Sequence, residues 1–199
     1  MMNNSVMIRT QRLGFSLFEI VIVLAIVAVF ATISLPLLKR VYDYTNGKIL
    51  QSQLLHTIQF ARQEAQTRGL PVALCQSNDS AGCSGNWLDG QLVFVDQNKD
   101  GTLNDNEQIL TTIQTRMNRG LLHWRSFSSQ RNDLLFLPTG AMRNDNGTFW
   151  YCPDSNGLPT WAIILSKTGR ARVSYPNENG VILDARGKPF QCTDQSVIL

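Results

Sequence analysis

Residues 20–38 carry no charge, and these nineteen positions approach the ~20 residues that an α-helix needs to cross a bilayer. One glutamate, Glu19, stands directly before the run, and Arg9 and Arg12 lie upstream of it. A carboxylate in hydrocarbon costs about 2.5–3.5 kcal/mol on insertion scales, so any membrane helix built here must give Glu19 a partner. Basic residues ahead of an apolar segment mark the end that stays inside the cell. A cleaved secretory signal has an apolar core of only about 7–15 residues. A plain signal anchor accommodates the length and leaves Glu19 without a role. Ser16-Leu17-Phe18-Glu19 also matches a capping box, in which the serine oxygen accepts a first-turn N–H and the glutamate reaches back.

Helical periodicity continues past the run. Leu50, Leu54, Ile58, Ala61 and Ala65 fall on one helical face, and Gln51, Gln53, Gln59, Arg62, Gln63 and Gln66 fill much of the rest. Gly69 and Pro71 mark its stop. One helix over 15–68, bent near Pro36 and loosened at Gly47, would be about 80 Å long at ~1.5 Å per residue. After Pro71 the pattern turns to short strands at 72–75, 91–96, 108–113, 121–127, 134–137, 148–152, 161–166, 170–175 and 181–184, separated by Gly, Asn, Asp and Pro clusters. Strands laid on one amphipathic helix make an α+β fold, the strands forming an antiparallel sheet domain. The charged fraction of 17% is low for a cytosolic helical enzyme and suits a β-rich exported domain. The net charge of +3 is too small to imply a partner by itself.

Gly14-Phe15, followed by Ser16-Leu17-Phe18-Glu19 and an apolar helix reaching Pro36, resembles the class III signal of type IV pilins and type II secretion pseudopilins. The resemblance implies cleavage between Gly14 and Phe15 by prepilin peptidase and methylation of Phe15 as the new N-terminus. It divides the chain into a leader (1–14), a transmembrane and later filament-core helix (15–38), an amphipathic continuation (39–70) and a β-rich domain (71–199). It also implies a single pass through the inner membrane with a periplasmic C-terminal domain, then a place among other pilin subunits in an extracellular pilus. In that family Glu19 would pair with the N-terminal amine of a neighbouring subunit. A charge pair is strong in low dielectric, and removing one member leaves the other uncompensated. The stretch "VALCQSNDSAGCSGNWLDGQLVFVDQNKDG" narrows the resemblance to the FimT/FimU minor pilins and the H-type pseudopilins. Residues 173–199 match no recognised pattern.

Four cysteines, Cys75, Cys83, Cys152 and Cys192, follow the helix on the side that permits disulfides. They allow three pairings. The favoured one joins Cys75 to Cys83 around a Gly/Ser-rich loop and Cys152 to Cys192 across the C-terminal tail, with free buried thiols as the alternative. Their spacings lack the C-x-x-C form of a zinc site. "DQNKDGTLNDNE" fits the calcium-loop template, with Asp96, Asn98 and Asp100 at positions one, three and five, Gly101 at six and Glu107 at twelve. The Thr102 carbonyl would be a further ligand. Strands rather than helices flank the loop, so a metal-free turn is the favoured reading, with no cofactor expected, and Ca²⁺ the alternative.

Charge is unevenly spread. Residues 76–110 hold six acids and one base, and 111–199 hold ten bases and six acids. The basic set includes Arg143, Lys167, Arg170, Arg172, Arg186 and Lys188. Gly169-Arg170-Ala171-Arg172 resembles the GRxR motif of FimT-type pilins, which implies DNA binding. Strand alternation would put Arg170 and Arg172 on one face, where each guanidinium can fork onto phosphate oxygens. Such contacts bind without sequence preference and weaken with salt. An ordinary solvated hairpin is the alternative. Trp161 and Tyr175 could stack on bases, although aromatic residues in strands are commonly core. His56 and His123 are tied by no motif to a nucleophile, so an enzyme is not expected. Two readings follow: a DNA-binding minor pilin for uptake in natural transformation, or a structural minor pilin or type II pseudopilin that primes assembly.

Overall fold

The computed structural model describes residues 16–79, 81–115, 120–127, 131–143, 146–153, 159–184 and 186–192, without the side chains of 33, 35–37, 39 and 40. Gly14 and Phe15, the expected processing site, lie outside the described residues. The described residues open with one helix, α1 (Leu17–Arg68). It continues through Pro36 and Gly47, where the sequence suggests a bend and a loosening. The chain divides into two compact units, Met1–Tyr42 and Asp43–Leu199.

In the first unit, the Ile20 N–H donates to the Ser16 carbonyl at 3.2 Å and the Glu19 N–H donates to Ser16 Oγ at 3.4 Å. This is the serine half of the capping box, and it satisfies donors that a helix start leaves open. The Glu19 carboxylate has no partner among the described residues. Leu17 is 83% exposed and Phe30 66%, with Phe18, Leu24 and Val29 similarly bare. Among the described residues no helix is long and apolar enough to cross a membrane. The span expected over 15–38 therefore reaches beyond the side chains described.

Among the described residues, the second unit sets the rest of α1 against eight strands in two antiparallel sheets. One sheet runs in the order β3 (Ile109–Gln114), β2 (Gly90–Val95), β1 (Val72–Gln76), β5 (Asp133–Phe136), and the other β4 (Leu121–Ser126), β6 (Gly147–Cys152), β7 (Trp161–Leu165), β8 (Ala171–Ser174). Residues 181–184, expected as a ninth strand, form only an isolated bridge between Leu183 and Pro189.

Leu50, Leu54, Ile58, Ala61 and Ala65 are fully buried, in one core with Val72, Leu74, Val93 and Phe136 of the first sheet and Phe149, Tyr151, Trp161 and Ile163 of the second. Burying each large side chain contributes about 1.5–3 kcal/mol. Gly47 lets the helix approach the second sheet. Its carbonyl accepts the buried Trp161 indole N–H at 2.9 Å, and a methyl there would lie 3.1 Å from the Tyr151 ring. A glycine inside a helix costs about 1 kcal/mol relative to alanine, and here it provides clearance.

Every residue of β2 is buried, so both faces of the first sheet are covered at that strand. Val93 faces the helix core, whereas Leu92 and Phe94 join Ala73, Cys75 and Leu135 with Cys83 and Leu103 from the flanking loops. On the outer side of the second sheet, Ala162 and Trp150 meet Ile182 and Phe190 of the C-terminal segment. Each covering segment carries a disulfide, Cys75–Cys83 or Cys152–Cys192, the favoured pairing. The Trp150 indole N–H donates to the Gln191 carbonyl at 3.1 Å, and Arg125 pairs with Asp184 at 3.2 Å. Burial pushes the Asp184 carboxyl up, but the Lys188 and Arg186 backbone N–H groups and Arg125 outweigh it and hold it below the usual range.

Replacing Leu54 with alanine removes the middle of the helix stripe and is expected to cost about 2–5 kcal/mol in urea unfolding. A loss within about 0.5 kcal/mol, as for a surface site, would contradict this packing.

Candidate nucleic-acid interface

The tip between β7 and β8 is built around Gly169. The Gly169 N–H donates to the Ser166 carbonyl at 2.8 Å, the Ser166 N–H to the Arg170 carbonyl at 3.0 Å, and the Arg170 N–H to Ser166 Oγ at 3.2 Å. Gly169 has φ +76°, a left-handed conformation that glycine alone adopts without strain. A methyl group there would also overlap the carbonyl of Gly140. That same carbonyl accepts a 3.0 Å hydrogen bond from Arg62 Nε, and the Met142 N–H donates to the Lys167 carbonyl at 3.0 Å. The turn at 138–142 thus joins the hairpin tip to α1.

Ala171 and Val173 pack against the core, so alternation turns Arg172 outward, and Arg172 is exposed on the edge strand β8. Arg170 is exposed as well, and it lines a groove of about 450 Å³ with Gln59, Arg62, Gln63 and Gln66 of α1. Among the described residues neither arginine's side chain has an ion pair or hydrogen bond. Arg62 was legible only as polar filler on the outer side of the helix; its meaning depends on a contact 78 residues away.

Other expected residues divide. Lys167 is exposed on the same turn. Arg143 is engaged elsewhere: its guanidinium donates to the Lys99 carbonyl and pairs with Asp133 at 3.5 Å. It belongs to the support of the acidic loop, which corrects its assignment to the basic surface. Trp161 is 1% exposed and unable to meet a base, whereas Tyr175 is 53% exposed. The Tyr175 hydroxyl donates to Gln51 Oε1 at 3.1 Å, and Lys48 Nζ lies 4.0 Å from its ring centroid. His56 is an exposed helix residue, and His123 stacks on Trp150 at 5.0 Å.

The acidic loop spends its oxygens on itself. Asp96 accepts the N–H groups of Asp100 and Gly101 at 3.2 and 2.9 Å, and Asn98 Oδ1 accepts that of Asp100 at 3.0 Å. Asp100 accepts the Thr102 N–H at 2.7 Å and the Asn98 and Asn104 amides at 2.8 and 3.1 Å. Glu107 accepts the N–H groups of Gln97 and Asn104 at 3.1 and 3.0 Å, and the Thr102 carbonyl accepts the Asn104 amide at 3.1 Å. The Thr102 N–H, then the Asn104 amide, hold the Asp100 carboxyl below the usual range. Arg131 binds the Asp100 carbonyl and pairs with Asp133 at 2.8 Å. Among the described residues no three acidic, histidine or cysteine groups converge on one point. The oxygens that the template counts accept hydrogen bonds from within the loop, and guanidiniums hold the Lys99 and Asp100 carbonyls.

A family model described as "Type II transport protein GspH" matches residues 51–169. Among solved structures, the chain resembles the type IV minor pilin FimU of Pseudomonas aeruginosa at 18% identity and a TM-score of 0.49, covering 68% of this chain and 90% of that one. It resembles the minor pseudopilin EpsH of the Vibrio cholerae type 2 secretion system at 15% identity and 0.47, covering 67% and 99%. For Escherichia coli GspH the values are 14% and 0.45, with 66% and 89% covered. No curated protein matches the sequence.

Replacing Gly169 with alanine is expected to lower the melting temperature and increase hydrogen exchange at residues 166–171, because the new methyl meets the Gly140 carbonyl. Unchanged exchange there would contradict the docked tip. On the family match, which spans more than half of the chain, this protein belongs to the GspH family of minor pilins and pseudopilins.

Proposed function

We propose that this protein is a FimT-like minor pilin that joins a type IV pilus and binds DNA non-specifically for uptake in natural transformation. The observation that carries the DNA reading is that Arg170 and Arg172 are both exposed at one edge of the second sheet without an acidic partner among the described residues. Guanidinium forks suit phosphate oxygens, and contacts of this kind set position without reading sequence. Prepilin peptidase would cut after Gly14 and methylate Phe15. The apolar first unit would lie in the inner membrane, its bare surface then passing into a filament core against other pilin subunits. Glu19, capped only through its backbone, would offer its carboxylate to the N-terminal amine of a neighbouring subunit.

A second reading, a structural minor pilin or type II pseudopilin without DNA binding, has one specific observation in its favour. The family match stops at residue 169, just short of both arginines, and its description belongs to type II transport. A gel shift separates the readings. The full chain in mild detergent should retard duplex DNA at low salt, with log K falling by about 0.9 per phosphate contact for each decade of salt. Arg170→Gln/Arg172→Gln should abolish the shift with an unchanged melting temperature. Equal behaviour of the two proteins would leave the structural reading. Mass spectrometry of protein made in cells with a prepilin peptidase should find methylated Phe15 at the N-terminus, and a retained leader would overturn the processing step.

A further inference from the structure

The groove between α1 and the hairpin tip combines features that the exposed arginines alone do not explain. It is walled by the second half of α1 on one side and by Gly169, Arg170 and Ala171 on the other. Arg62 enters it half-buried, with Nε fixed on the Gly140 carbonyl at 3.0 Å. Its two terminal nitrogens have no partner among the described residues. Arg170 faces the same space, and none of the groove's lining residues is acidic. The nearest carboxylate along the helix, Glu64, is held by Arg68 at 2.5 Å. Two guanidiniums that share a groove repel one another unless an anion lies between them. Gln59 and Gln63 add exposed amides, able to donate to a phosphate oxygen and to accept from a base edge.

We propose that this groove is a phosphodiester-binding site that seats one DNA backbone strand between Arg62 and Arg170. The proposal rests on the DNA-binding reading above and extends it from the hairpin to the helix. Arg62 is prepaid in conformational entropy, since its bond to Gly140 already fixes the guanidinium. Gly169 is then a positioning residue: by seating the tip on that same carbonyl it sets Arg170 across the groove from Arg62. From Arg62 back to Lys48, α1 advances about 21 Å at ~1.5 Å per residue. There the chain that leaves β8 meets the helix again through Tyr175, which places Lys48 and an exposed aromatic ring beyond the groove. Aromatic rings of this kind stack on unpaired bases without sequence preference.

The test is Gln59→Glu/Gln63→Glu in the full chain in detergent. Both positions are exposed and no hydrogen bond of either side chain is lost, so the fold is expected to hold, as circular dichroism and melting would verify. Two added carboxylates beside a phosphate should weaken binding about tenfold at low salt. A control pair in the acidic loop, Gln97→Glu/Asn106→Asp, should change it by less than about twofold. The probes are a 20-base duplex and one of its strands, each labelled at one end. Weakening of either probe supports the groove and shows whether the backbone comes from duplex or single-stranded DNA. If Arg170→Gln/Arg172→Gln abolishes binding and Gln59→Glu/Gln63→Glu leaves it unchanged, the groove is overturned while the hairpin reading stands. If the unaltered chain binds neither probe, both fall.

Discussion

The buried stripe of α1 from Leu50 to Ala65 is the contact on which the rest of the second unit depends. Both sheets turn their inner faces to it, so neither has a complete core without the helix. The same packing explains why Gly47 sits in the middle of a helix: the Tyr151 and Trp161 rings need the space that a side chain would take. A helix held so firmly on its inner side is also a rigid support for what lies on its outer flank. Arg62 is four residues beyond the buried Ile58 and beside Ala61, so its position is set by the core and not by its own flexible stem.

The outer faces of the sheets explain the placement of the disulfides. Antiparallel sheets commonly leave one face to water, but β2 is buried throughout and the second sheet hides Ala162 beneath Ile182 and Phe190. The covers are loop and tail segments, which lose much conformational entropy when they are fixed. A cross-link reduces that loss from the side of the unfolded chain, and each cover has one. The acidic loop is held differently, by its own backbone N–H groups and by Arg131 and Arg143 on Asp133. Charge in this unit is therefore segregated by structure: the loop absorbs its neighbouring arginines, and the β7–β8 tip keeps its own exposed.

Much of this was legible in the residues. The 3.6-residue period marked the buried face of α1, turn clusters placed eight strands within a residue or two, and the Gly/Ser-rich loop and C-terminal tail pointed to the cysteine pairing found. What was missed depends on contacts between distant segments. Gly47 read as a weak point because its use appears only when Trp161 arrives. Residues 181–184 have the apolar look of a strand, yet Ile182 serves to cover β7, Leu183 stays largely exposed, and the segment extends no sheet. Arg143 counted toward a basic surface until Asp133 and the Lys99 carbonyl claimed it. The residues of the calcium template close an Asx-rich turn through their own hydrogen bonds, and side chains of the same types also ligate cations. Arg62 and the glutamines around it looked like a solvated face, and only the docking of Gly169 gives them a second wall.

The link from that docking to DNA is the central claim, and amide NMR reads it residue by residue. On titration of the labelled protein with a short duplex, the account predicts chemical-shift changes concentrated at Gln59, Arg62, Gln63 and Gly169 to Arg172, with residues 96–107 of the acidic loop unmoved. Changes confined to other surfaces, or none at low salt, would contradict it.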